Sequence, residues 1–423
     1  MRKTNYVIQK KRKTGSALDG ILFFLELMTI MQPSSINKIS PWIFQGLLIV
    51  FVMLEGTWLF FHLRGTTRVF TVENGILVFT GFQLMITLLL HSTPIIASLK
   101  YPLSVLLTVL CVMRRLRTDR DRAIHQIAVF FFIIIAVNAA SIAVFPSGLY
   151  KNISPSGTWQ TAYFLGVDNQ FGKILFPGMA LIWFDEQHRT GNTKKCSLIT
   201  FTALVMVSFS YIFIKNGTGM ISLFFLYVLF FMYYHVHINK KAFIILFIAA
   251  VSIVMLYLIL EAAAAKSNSF FMAFVANLLG KTPDFSGRAP IWNAVLRSVL
   301  HRPLLGHGQQ PDDVTARVHG MYFNSHNKLL QTLFECGLTG TVLLVATVVL
   351  AIKEGRKHLD QTPEIMTLFV GVFITGIYFM MEVGTFTPFF ILLLVMAYSQ
   401  SLSVYNQLNL RLGRKLPVGL IDL

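Results

Sequence analysis

Two residues of this chain are placed where chemistry is easiest to perform, and both stand at the start of a helix. The apolar spacing of Ile291, Trp292, Val295, Leu296, Val299 and Leu300 predicts a helix over Arg288–His301, capped by Ser286 and ended by Pro303. Arg288 falls in its first turn. A helix N-terminus offers free N–H groups and a partial positive charge, so a cation there is unfavourable unless an anion also binds. Arg288 with those amides would hold phosphate oxygens through its guanidinium fork. The plainer reading is an arginine snorkelling to lipid headgroups. His326 follows Ser325 at the mouth of a later apolar run. An imidazole can take a proton from a hydroxyl at neutral pH; it can also simply cap a helix. Its neighbours Ser325 and Asn327 could fix its tautomer.

Weaker candidates surround these two. His307 lies between Gly306 and Gly308, where the backbone can turn sharply and approach a ligand. His301 and His319 share the segment. Asp312 and Asp313 are its paired carboxylates, either a base or a solvated loop tip. Lys215 is the single cation of the tight turn KNGTG. Asn169 and Lys173 open another apolar run, and Lys173 sits about 6 Å into it. An ammonium there is costly unless it faces a polar cavity. Arg288, Lys215, Lys173 and Lys328 thus gather on one face with few acids nearby, which suits a lipid-linked phosphate or diphosphate. The sequence shows no metal-ligand spacing, no glycine-rich nucleotide loop and no Ser or Cys nucleophile motif. Cys111, Cys196 and Cys336 lie far apart and suggest neither a metal nor a disulfide.

The elements that must position these residues are membrane helices. Of 423 residues, 55% are hydrophobic and only 13% charged, too few charges to cover a water-soluble surface. Apolar runs near 17–32, 41–62, 74–92, 95–113, 124–145, 169–184, 197–214, 219–238, 242–260, 328–352, 364–381 and 386–404 are each about long enough to cross a ~30 Å hydrocarbon core. The expected fold is therefore an all-α polytopic membrane protein of about twelve spans, a single integral membrane domain over 1–423. The net charge of +17 is a topology signal and not a nucleic-acid signal. Roughly two-thirds of the 36 Lys and Arg fall in loops on one side together with both termini, and that side is expected to be cytoplasmic. The opposite side receives 146–168, the KNGTG turn and one large loop, 261–327, between the ninth and tenth spans. That loop is expected to be helical, with an amphipathic helix over Ser267–Gly280 resting in the interface. No internal repeat of the transporter kind is visible.

SGR-x-x-IW, then HRPLLGHG, then SHN-x-x-x-Q-x-x-x-x-x-G-x-x-G resembles, in order and spacing, the O-antigen ligase/polymerase superfamily. That superfamily includes Wzy-type polysaccharide polymerases and WaaL-type lipopolysaccharide ligases. The DNQFGKILFPG stretch looks like the family's Asn-containing start of a middle span. KNGTGMI sits where many members carry a Ser-Arg-Thr-Gly-like turn, and here the chain departs: Lys215 keeps the charge and lacks the fork. The resemblance implies a GT-C-like glycosyltransferase of the bacterial cytoplasmic membrane with its site on the outer face. Its donor would be a glycan on undecaprenyl diphosphate, its acceptor a sugar hydroxyl, and its reaction metal-independent and inverting, with no cofactor. Arg288 would hold the diphosphate and His326 would act on the hydroxyl. Lys215, Asn169, Lys173, His307, Asn327 and Trp292 are the expected substrate-binding set. Expected partners are the lipid-linked donor and acceptor, membrane lipids, a flippase and a chain-length regulator, and no nucleic acid. The sequence looks more like exopolysaccharide or capsule polymerases than ligases. A ligase of the same superfamily and a transporter of lipid-linked glycans are the alternatives.

Overall fold

The computed structural model describes residues 17–62, 71–90, 95–153, 157, 159–191, 195–235, 245, 252, 288–309, 316–318, 321–360 and 362–412. Wherever an expected apolar run lies among them, it folds as a helix. These helices are α1 Ala17–Met31, α3 Pro41–His62, α4 Val72–Leu90, α5 Ile95–Thr118, α6 Arg120–Val144, α7 Gly172–Thr190, α8 Leu198–Ile214, α9 Gly217–His235, α11 Lys328–Lys357, α12 Ile365–Met381 and α13 Thr387–Leu412. A short helix α2, Ser34–Ile39, and the expected loop helix α10, Arg288–His301, complete the set. The run 242–260 (apart from Ile245 and Ser252), the Ser267–Gly280 helix, Asp312, Asp313 and His319 lie outside the described residues. Helices α4, α6, α9 and α11 are long and apolar enough to cross a membrane alone, and α3, α8, α12 and α13 carry shorter apolar stretches. The chain is a multi-pass helical membrane protein.

It is not purely helical. Strands β1 Tyr150–Ile153, β2 Trp159–Tyr163 and β3 Gly166–Val167 form an antiparallel sheet between α6 and α7. Strands β4 Ala316–Val318 and β5 Met321–Phe323 form a second small hairpin before α11. Each strand is too short for a periodicity to show in the sequence, and cross-strand backbone bonds make them. The first sheet matters to the site, because Gly166–Val167 runs straight into the 3-10 turn Asp168–Gln170 that precedes α7. Tyr163 in β2 donates to the Pro146 carbonyl at 3.0 Å. Burial, and then the charge of Asp168, push that phenol above its ordinary range, so it stays a neutral donor.

Helix α7 is the axis of the bundle. Every residue from Ile174 to Gln187 is buried, and a helix apolar all round belongs in a core. It packs on α6, α8 and α12. Lipid is as apolar as leucine, so side-chain fit and hydrogen bonds hold such a helix. Trp183 Nε1 donates to Tyr234 Oη at 2.8 Å, and the Tyr233 hydroxyl donates to Gln187 Oε1 at 2.7 Å. These bonds seat α7 against α9.

The two ends of the bundle differ. One end is laced by ion pairs. Arg114 bonds both Glu26 and Glu55, Arg117 reaches Glu73 at 2.6 Å, and His125 faces Asp185 at 2.9 Å. Helix α6 begins at Arg120, earlier than its hydropathy suggests, because Asp119 caps it by accepting from the Arg122 N–H. The other end carries the β-sheet, the α8–α9 turn, the α12–α13 turn and the start of α11.

Candidate functional site

His326 stands in the turn Asn324–Asn327 that leads into α11. Its φ is 45°, in the left-handed region that a non-glycine residue rarely adopts. The surrounding bonds over-determine that conformation. The His326 N–H donates to Asn324 Oδ1 at 2.9 Å, and Ser325 Oγ donates to the Asn327 carbonyl at 2.6 Å. Trp292 Nε1, from α10, donates to the Ser325 carbonyl at 2.7 Å. Asn327 Oδ1 accepts from the Leu330 N–H at 2.9 Å and caps α11. Ser325 and Asn327 therefore shape the backbone, and a different residue addresses the imidazole. His326 Nδ1 lies 3.5 Å from Oε2 of Glu382, at the end of α12. That carboxylate is only 2% exposed, and Nδ1 has no hydrogen-bond partner among the described residues. A carboxylate facing Nδ1 favours the tautomer with its proton there, leaving Nε2 as the acceptor.

The sequence singled out neither Glu382 nor its neighbours. A carboxylate in the short turn between two apolar runs was the available signal. Around it the structure gathers several of the expected residues. Asn169 lies in the turn before α7, and its carbonyl accepts from the Tyr378 hydroxyl one turn before Glu382. Its side-chain Oδ1 is buried and has no partner among the described residues. Lys173, in the first turn of α7, packs its methylenes on Gly384, two residues beyond Glu382. In the α8–α9 turn, Asn216 Nδ2 donates to Asp168 Oδ2 at 3.1 Å, and Asn216 Oδ1 caps α9 through the Gly219 N–H at 2.7 Å. Lys215 beside it is exposed, with φ 59°. The starts of α7, α9 and α11 and the end of α12 thus converge on one polar region.

Two acids stand in this region: Asp168, bonded to Asn216, and Glu382, facing His326. Lys328 is withdrawn from any open pocket. It is 3% exposed, with its ammonium 4.7 Å from the Tyr101 ring centre and 4.4 Å from that of Phe386. The remaining expected residues are engaged by the protein. Trp292 supports Ser325, Asn327 caps α11, and His307 stacks on Phe334 with Nε2 donating to the Ser298 carbonyl at 2.9 Å. Arg288 opens α10 as expected; its side chain lies outside the described residues. His301 is exposed at the far end of the same helix.

The arrangement can do acid–base chemistry with an imidazole that faces a buried carboxylate. Glu26, Glu55 and Cys111, at the opposite end, are near enough to one another to hold a cation. Both of those carboxylates are already bonded to Arg114. A family model described as O-antigen ligase matches residues 201–345. The match runs from α8 through the Lys215 turn, α10 and His326 into α11, and stops short of Glu382. No curated protein matches the chain.

Proposed function

We propose that this protein is a polysaccharide repeat-unit polymerase of the Wzy type; the match of residues 201–345 to a family model described as O-antigen ligase supports the reading. It moves a glycan from a lipid diphosphate to the hydroxyl of an acceptor sugar. The observation that carries the reading is His326, held on a left-handed backbone with Nδ1 facing the buried Glu382. Strain that neighbours over-determine is characteristic of working sites. His326 Nε2 takes the proton of the attacking hydroxyl. The hydroxyl oxygen bonds to the anomeric carbon as the bond to the diphosphate breaks, with inversion. The diphosphate is a good leaving group, so the protein needs only to neutralise its growing charge and orient two sugars. Arg288 with the free amides of α10 holds the diphosphate. Lys215 and Lys173 add positive charge, and Asn169 offers its Oδ1, without a partner among the described residues, to a sugar hydroxyl.

The positive-inside rule supports cytoplasmic termini and a site on the outer face of a bacterial cytoplasmic membrane. Twelve spans and a GT-C-like plan are part of the same reading. The family's description favours a second reading, ligation of a finished glycan to a different acceptor. Incubation of the purified protein with lipid-linked repeats, without ATP, decides between them. A ladder of lengthened products supports polymerisation. A single transfer to an added lipid-core acceptor supports ligation. Absence of both overturns the glycosyltransferase reading.

A further inference from the structure

Helix α11 is broken. At Gly337 the backbone turns to φ 61°, ψ −167°. The break strips partners from the carbonyls of Phe334 and Glu335 and from the N–H groups of Leu338 and Thr339. Unmet backbone groups at membrane depth are costly and are tolerated only where protein covers them. One short segment meets all four. The His307 and Gly308 N–H groups donate to Phe334 O and Glu335 O, each at 2.8 Å. Leu338 N–H donates to Pro303 O at 2.8 Å and Thr339 N–H to Leu304 O at 3.2 Å. The fit leaves no room for a side chain. A Cβ on Gly337 would strike the Leu304 carbonyl, and one on Gly306 would strike Gly337 N and Glu335 O. Both glycines also hold positive φ.

Pro303–Gly308 is therefore a strap laid into a gap in a helix, and His307 fastens it. Its ring stacks on Phe334 with centroids 4.6 Å apart, while Nε2 donates to Ser298 O on α10. Beyond the strap, the Gln309 N–H donates to Thr87 Oγ1 at 3.0 Å, and Gln83 Nε2 donates to Gln309 Oε1 at 3.0 Å, both on α4. Under the strap lies a small apolar cluster of Ile291, Val295, Val299 and Phe334, separate from the main core. The two pieces it joins are the two that matter. Helix α10 begins at Arg288, and the first half of α11 begins two residues after His326.

We propose that the strap welds α10 and the first half of α11 into one carrier that fixes Arg288 relative to His326, and that His307 is a positioning residue of the transfer reaction. The kinetic part rests on the glycosyltransferase reading; the mechanical part rests on the fold alone. The test compares full-length wild type with His307→Ala, His307→Gln, Phe334→Leu and Gly337→Ala. Amide exchange is read at Leu338 and Thr339, and kcat and KM are read with lipid-linked repeats. His307→Ala is expected to speed exchange at both amides about tenfold. It should lower kcat about tenfold with KM changed less than about twofold. His307→Gln keeps an N–H for the Ser298 carbonyl and should recover most of both. Phe334→Leu, a milder change, should move exchange and kcat in the same direction even where Gly337→Ala fails to fold. Unchanged exchange in His307→Ala and Phe334→Leu overturns the strap. A raised KM with unchanged exchange makes His307 a sugar ligand and overturns the positioning role. A wild type that makes no product removes the glycosyltransferase reading, while exchange still decides the strap.

Discussion

In the proposed reaction Glu382, 3.5 Å from Nδ1, is the group that orients His326. The sequence placed the histidine at a helix mouth beside Ser325 and Asn327, and those two bond backbone groups instead. The carboxylate comes from the end of α12, 56 residues further along the chain (382 minus 326). If Glu382 fixes the tautomer, Glu382→Gln should lower turnover by about 10², the lower end of general-base help, with donor binding unchanged. Normal turnover in that variant would remove Glu382 from the mechanism. His326→Ala should cost about 10²–10⁴ in rate. If His326→Gln restores most of it, the side chain only positions the acceptor. At Arg288 a second pair of variants separates fork from charge. Arg288→Lys should be nearly as inactive as Arg288→Ala, because an ammonium cannot make bidentate phosphate contacts; near-normal product ladders would rule out that geometry.

Among the elements, α10 and the first half of α11 make one unit, and the indole of Trp292 is its pin. The ring is 5% exposed, and its N–H holds the carbonyl that precedes His326. Trp292→Phe keeps most of the apolar contact and leaves the Ser325 carbonyl without its donor. An orphaned buried carbonyl costs about 1–3 kcal/mol. That loss falls on the turn that carries the strained His326, so activity should drop more than the thermal midpoint of the bundle does. A large fall in that midpoint with full activity in the folded fraction would show the pin to be structural only. The β-sheet ahead of α7 acts in a similar way on Asn169. Its last strand feeds the turn in which Asp168 accepts from Asn216, tying the start of α7 to the start of α9.

At the scale of the whole molecule, the ends of the bundle have separate tasks. The end with Arg114 holds helices together. Arg114 binds the carboxylates of Glu26 on α1 and Glu55 on α3, which are 7% and 3% exposed. Removing one member of a buried pair typically costs about 3–5 kcal/mol, because the other charge stays buried and unpaired. Arg114→Leu should therefore lower the thermal stability of the purified protein markedly. It should leave the kcat of the surviving folded protein near normal, since the proposed site lies at the other end. A loss of kcat without a loss of stability would link the two ends. Orientation is tested independently. A cysteine placed at Asp312 should react with an impermeant reagent from outside, and one placed at Arg120 should not. The reverse pattern would invert the membrane orientation and the outer location of the site.

Among the described residues, the sequence by itself determined which long apolar segments are helices, because a chain in lipid must satisfy its backbone internally and apolar length marks where it does so. It determined the helix that opens at Arg288, because the 3.6-residue apolar spacing is a local property, and it placed His326 at the mouth of a further helix, whose Asn327 cap the structure supplied. It also carried the order of motifs now seen as a family match over residues 201–345. Tertiary structure alone decided that Glu382, Asn169, Lys173 and Asn216 share a region with His326, because their nearness depends on how α7, α9, α11 and α12 pack. The break at Gly337 was equally hidden. A glycine inside an apolar run reads as a tolerated helix residue, and only the backbone of Pro303–Gly308, laid across the gap, makes it a joint. Lys328 illustrates the same limit. Its position suggested an open cation, and the rings of Tyr101 and Phe386, 227 and 58 residues away in the chain (328 minus 101, 386 minus 328), enclose it instead.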